Sequence, residues 1–161
     1  MIVVLDASTL INLANGEVFA KVVALPNRSF QVSAVVLRES RTVARAIRAA
    51  VKRGDIALVD DGAIDADDFE NALNDWGLGP GETECILAAK VLGSVVACDD
   101  GAARQVIERE IGVPRRTGTV GLLRDAIAAG LLTPHAAFEA YQQMKSRGGY
   151  LPHLTLADFH V

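Results

Sequence analysis

Ile2-Val3-Val4-Leu5-Asp6-Ala7-Ser8-Thr9 is the stretch on which the fold turns. Its four apolar residues run without alternation straight into an acid and two hydroxyl residues. That is the pattern of a strand buried on both faces that ends in a polar turn, and parallel sheets are its natural host. Ser8 or Thr9 is placed to cap a helix reaching about residue 14, where Asn15-Gly16 stops it. Working outward, similar apolar blocks stand at 30–35, 56–59 and 94–98, with a weaker one at 113–117. Helical patterning fills the intervals at 17–25, 37–53, 65–76, 82–92, 101–110, 120–129 and 134–147. Strands alternating with helices predict a doubly wound α/β domain. A chain of 161 residues has room for one such domain, 1–161, in which 133–161 reads as a C-terminal helical extension.

Composition narrows the chemistry. Lys and Arg number 16 against 20 Asp and Glu, a formal charge of -4, so no whole-chain positive field draws the protein to nucleic acid or anionic membrane. Two cysteines, Cys85 and Cys98, make neither a disulfide framework nor a CxxC knuckle and suit a reducing cytoplasm. The apolar runs are shorter than the roughly 18 residues that span a bilayer, and the start lacks a basic leader, so a cytoplasmic protein without a membrane is expected. Aromatic residues are only 5%, which leaves little for a base-stacking sheet.

Local charge is less even. Arg38, Arg41, Arg45, Arg48 and Lys52 step by three or four through segment 37–53 and would share one helix face. A solvated outer face explains such a stripe; contact with a phosphate backbone or an acidic partner is the functional alternative.

Ligands of parallel α/β sheets sit outside the carboxyl ends of the strands, so acids found there carry most weight. Asp6 ends the first strand, Asp99 and Asp100 end the strand at 94–98, and Glu39 falls about one helical turn beyond the strand that closes near residue 35. Glu82 opens its helix behind Gly77-Leu78-Gly79-Pro80-Gly81. Each has a plain structural reading: a turn and cap for Asp6, a first-turn acid for Glu39 and Glu82, helix initiation for one of Asp99 and Asp100. Together they would repel one another in a single crevice unless a divalent cation neutralised them. Mg2+ or Mn2+, which take oxygen ligands in octahedral geometry and keep several waters, are the expected guests.

These residues resemble a known family. Asp6-Ala7-Ser8, Val36-Leu37-Arg38-Glu39, Gly81-Glu82-Thr83-Glu84-Cys85-Ile86-Leu87-Ala88-Ala89 and Cys98-Asp99-Asp100-Gly101-Ala102-Ala103-Arg104 look like PIN-domain signatures. Thr117-Gly118-Thr119-Val120-Gly121-Leu122-Leu123 is similar to a segment of one prokaryotic subgroup. The resemblance implies a three-layer α/β/α fold with a central parallel sheet of four to five strands. It also implies a divalent-metal nuclease site on Asp6, Glu39, Glu82 and Asp100, supported by Ser8. Asp99 rivals Asp100 as the ligand, with Asp100 preferred by its spacing from Glu82, and Glu84 stands beside Glu82 as a rival third acid. Many small members are VapC-type toxins that cut RNA and are restrained by an antitoxin, so an RNA substrate, an antitoxin partner and a homodimer are all expected. A catalytically silent module that binds RNA or protein is the competing class.

The expected reaction is phosphodiester hydrolysis by water activated on the cation, independent of thiols. Arg104, or the stripe at Arg38, Arg41, Arg45 and Arg48, is placed to steer the phosphate backbone. Three further signals carry less. The glycines at 77, 79 and 81 follow a polar helical segment and not a buried strand, which argues against a dinucleotide loop. His135, His153 and His160 have no metal-ligand spacing, and Ser8 stands where a two-aspartate phosphatase would need its second acid.

Overall fold

The apolar block at the start of the chain forms the central strand of the sheet. In this computed structural model, which describes residues 1–60 and 62–160, β1 (Ile2–Leu5) is flanked by β2 (Ser29–Val32) and β4 (Val95–Ala97). β3 (Ile56–Leu58) and β5 (Arg116–Thr117) complete the order β3-β2-β1-β4-β5, parallel throughout. The register pairs Val3 with Phe30 and Val95, so apolar side chains stack in rows across the middle of the sheet. Val3, Val4 and Leu5 are buried, as a two-sided strand requires.

Helices cover both faces of the sheet, giving the expected three-layer α/β/α architecture. In chain order they are α1 (Ala7–Asn15), α2 (Phe19–Val23), α3 (Ala34–Glu39), α4 (Ala44–Arg53), α5 (Ala66–Trp76), α6 (Pro80–Leu92), α7 (Gly101–Ile111), α8 (Thr119–Ala128) and α9 (Pro134–Ser146). α6 is buried along most of its length and packs on β1 and β4 as well as on α3, α5 and α7. α9 lies against α1 and α8, and its Ala137, Ala140, Tyr141 and Met144 join the main core. A short 3-10 turn, Leu156–Phe159, brings Phe159 into that core beside Phe138 and Tyr141.

Several expected boundaries are corrected. The second strand stops at Val32 because the Ser33 side chain accepts from Val36 N at 3.2 Å and starts α3. The helix read at 37–53 is two helices, α3 and α4, separated at 40–43. Apolar spacing continues across that break through Val36, the buried Ser40, Ala44, Ile47 and Ala50, which is why periodicity does not reveal it. Consequently Arg38 and Arg41 do not share a helix face with Arg45 and Arg48. The helix expected at 17–25 is only α2, and the expected strand at 113–117 is a 3-10 turn, Val113–Arg115, followed by β5. Asp6, rather than Ser8 or Thr9, caps α1, and α6 begins at Pro80, which makes Glu82 its third residue.

Candidate metal centre at the carboxyl end of the sheet

Where β1 and β4 end, three helices begin, and the sequence places an acid at each start. Asp6 caps α1, Asp100 caps α7, and Glu82 reaches back over the first turn of α6. Helix N-termini present unbonded amides and a partial positive charge, so each carboxylate is stabilised by the helix it opens. Capping and ligation are compatible because a carboxylate has two oxygens.

The division of labour between those oxygens separates the acids. Asp6 accepts from Ser8 N (3.1 Å), Ser8 Oγ (2.7 Å) and Cys98 Sγ (3.5 Å), all at Oδ2. Glu82 accepts from Gly79 N at 3.0 Å through Oε2, and Asp100 from Ala103 N at 2.9 Å through Oδ1. Glu39, at the end of α3, accepts from Gly81 N at 3.2 Å through Oε1, so it too lies over the start of α6. In each of these four, no donor among the described residues reaches the second oxygen. Asp99 is different. Its Oδ1 takes Thr119 N (2.9 Å), and its Oδ2 takes Asn12 Nδ2 (2.9 Å), Thr9 Oγ1 (3.4 Å) and the Thr119 hydroxyl. Both of its oxygens are consumed in tying α1 and α8 to the end of β4.

Asp6, Glu82 and the Cys98 sulfur each offer a ligand atom within 4.8 Å of the others. Asp6 is 3% exposed, Glu82 is half-buried, and Glu39 and Asp100 lie exposed at the rim. Burial, followed by the charges of Asp6, Asp100 and Glu39, raises the Glu82 pKa against the lowering effect of the Gly79 amide. Glu84, two residues on, is half-buried, and its Oε2 is buried without a hydrogen-bond partner among the described residues. Cys98 is pushed far up, by burial first and by Asp6 next, and its thiol donates to Asp6, so the site is one of oxygen donors. An oxygen-donor set with mutual repulsion suits a hard divalent cation.

A family model described as a PIN domain matches residues 2–159. The chain belongs to the PIN-domain family. No match was found among curated proteins or among solved structures. In this PIN domain Ser8 links two of the acids, since its hydroxyl donates to Asp6 and accepts from Asp99 N at 3.1 Å. Arg104 is half-buried and donates to the Cys98 carbonyl at 3.2 Å, close behind the acids. Arg38, Arg41, Arg45 and Arg48 are exposed on α3, α4 and the turn between them. No helix among the described residues is long and apolar enough to cross a membrane.

Two residues of the site were not singled out from sequence. Gly81 lets Glu39 approach, because a methyl there would overlap the Glu39 carboxylate. Thr119 holds Asp99 through both its amide and its hydroxyl. The signal for the first was a glycine inside the first turn of a good helix, where propensity disfavours it. For the second it was the Thr117-Gly118-Thr119 run, in which a side chain at Gly118 would meet Asp99 Oδ1 at 2.6 Å.

Proposed function

We propose that this PIN domain is an Mg2+- or Mn2+-dependent nuclease that hydrolyses phosphodiester bonds, with RNA as its substrate class. One observation supports the reading: Asp6 and Glu82 bring ligand atoms within 4.8 Å of each other, Glu39 and Asp100 stand near enough to act on Glu82, and each of the four has one oxygen held at a helix start and no donor among the described residues on the other. Asp6 and Glu82 supply the buried side of the site, and Glu39 and Asp100 the rim over which a substrate enters. A divalent cation there supplies an acidified water and neutralises charge on phosphoryl oxygens. Ser8 holds Asp6 in place, since a hydroxyl with no adjacent base is a poor nucleophile. Glu39 or Asp100, open to solvent at the rim, would take up and release the proton of such a water.

The test is titration with manganese, alongside cleavage of a labelled mixed-sequence RNA pool, in the wild type, Asp6→Asn and Asp100→Asn. Both variants should lose metal affinity and activity by orders of magnitude while staying folded. Unchanged manganese affinity in both would overturn the assignment. Metal and RNA binding without cleavage by the wild type would leave the silent binding module as the correct reading.

A further inference from the structure

Beyond α9 the chain doubles back beside the carboxylates as a strap, residues 147–155, fastened at many points. Arg147 donates to the Asn15 carbonyl at 2.5 Å and meets Glu17 at 3.2 Å. A side chain at Gly149 would lie 2.6 Å from Asn12 Oδ1 and 2.8 Å from the Met144 carbonyl, so glycine lets the strap lie this close to α1. Leu151 is buried, and the Tyr141 hydroxyl donates to the Pro152 carbonyl while accepting from Leu154 N. Between these anchors stands Tyr150, 95% exposed. Its ring is held in solvent by a fastened backbone, with both faces open to a flat partner.

Tyr150 separates two clefts. One, of about 230 Å³, is lined by Ser8, Asp99 and Asp100 and so reaches the rim of the candidate metal centre at Asp100. The other, of about 850 Å³, is lined by Arg104, Arg116, Arg124, Lys145 and His153. The carboxylate in its lining is Asp99, whose oxygens are already taken. Arg116 pairs with Glu108, Arg124 donates to the Asp158 carbonyl, and Lys145 sits over the Tyr141 ring, which holds these cations along the cleft. Arg104, Arg124 and Lys145 have no carboxylate in a salt bridge among the described residues, and three such cations beside the paired Arg116, in a chain whose net charge is -4, mark a surface for a polyanion.

We propose that the larger cleft guides a single-stranded nucleic acid to the carboxylates, with a base stacked on Tyr150 and phosphates along Arg104, Arg116, Arg124 and Lys145. This rests on the nuclease reading of the neighbouring acids. An exposed aromatic ring selects a single strand because a duplex presents no open base face along its length.

Binding of a fluorescein-labelled mixed-sequence RNA of about 12 nucleotides, followed by anisotropy in excess EDTA, separates recognition from cleavage. Tyr150→Ala should weaken binding by at least about fivefold, and Tyr150→Phe should restore it. Arg116→Ala combined with Lys145→Ala should flatten the salt dependence by roughly 0.7 of a slope unit per lost phosphate contact. Arg45→Ala with Arg48→Ala should bind as the wild type does. Equal affinity of Tyr150→Ala and Tyr150→Phe would overturn the proposal, as would a loss that follows Arg45 and Arg48, or a chain that binds polyglutamate but not RNA. A wild type that binds RNA through Tyr150 but does not cleave it with manganese sinks the nuclease reading alone. Cleavage with affinity indifferent to Tyr150 and the cleft cations sinks the path alone.

Discussion

Gly81 occupies the second position of α6, and the three atoms nearest to its missing side chain all belong to the Glu39 carboxylate. Alanine suits a helix better than glycine by roughly 0.5–1 kcal/mol, so on folding grounds alone the glycine is a poor choice. Gly81→Ala should therefore leave stability unchanged or slightly raised while displacing Glu39 and weakening manganese affinity by roughly tenfold. Urea midpoints together with metal titration check both halves, and a destabilised variant of normal affinity would show that the glycine serves the fold. Glu82 offers a second test through pH. Its folded pKa is raised, so the proton is held more tightly in the folded chain. That contribution is full below the unfolded value and lost as pH rises through the folded one. In EDTA, Glu82→Gln should consequently gain stability relative to the wild type as pH rises from about 4 to 7. A variant-minus-wild-type difference in urea midpoints that stays flat or falls over that range would contradict the burial of Glu82 among like charges.

Among elements, α8 and α1 are joined to the end of β4 through one side chain, Asp99. A hydrogen bond to a charged group contributes about 1.5–3 kcal/mol, and Asp99 is half-buried, so Thr119→Ala and Asp99→Asn should both destabilise the protein measurably in urea. Asp100→Asn should do little to the urea midpoint and most of its harm to metal affinity. The opposite pattern, with Asp99→Asn folded normally but unable to bind manganese, would exchange the roles of the two neighbours. From sequence these residues differ only in spacing, because the partners that distinguish them, Thr9, Asn12 and Thr119, come from two other helices. Element order was legible, since runs such as Ile2–Leu5 bury both faces and permit no other reading. The split of 37–53 was not, because Ser40 keeps a buried position in the helical rhythm while its backbone leaves the helix.

Across the whole molecule, charge is organised by surfaces that no linear pattern displays. The basic cleft draws Arg104 from α7, Arg116 from β5, Arg124 from α8 and Lys145 from α9. The helical stripe that sequence makes conspicuous is instead divided between α3, α4 and their connecting turn. Placing acids at strand ends needs only local pattern, and Asp6, Asp99 and Asp100 could be placed in that way. Recognising a cleft built from four elements requires the fold itself.

Position of β1 also shapes how the molecule comes into being. Val3 pairs with Val95, so β1 lacks its second neighbour in the sheet until the chain has been made as far as β4. Long-range parallel pairing closes slowly, and until it closes β1 presents an open apolar edge that a chaperone would have reason to cover. Asp6 and Asp100 arrive on the two strands joined by that late pairing. A nascent or prematurely terminated chain therefore has an incomplete set of carboxylates, and the site is assembled only once the sheet has closed.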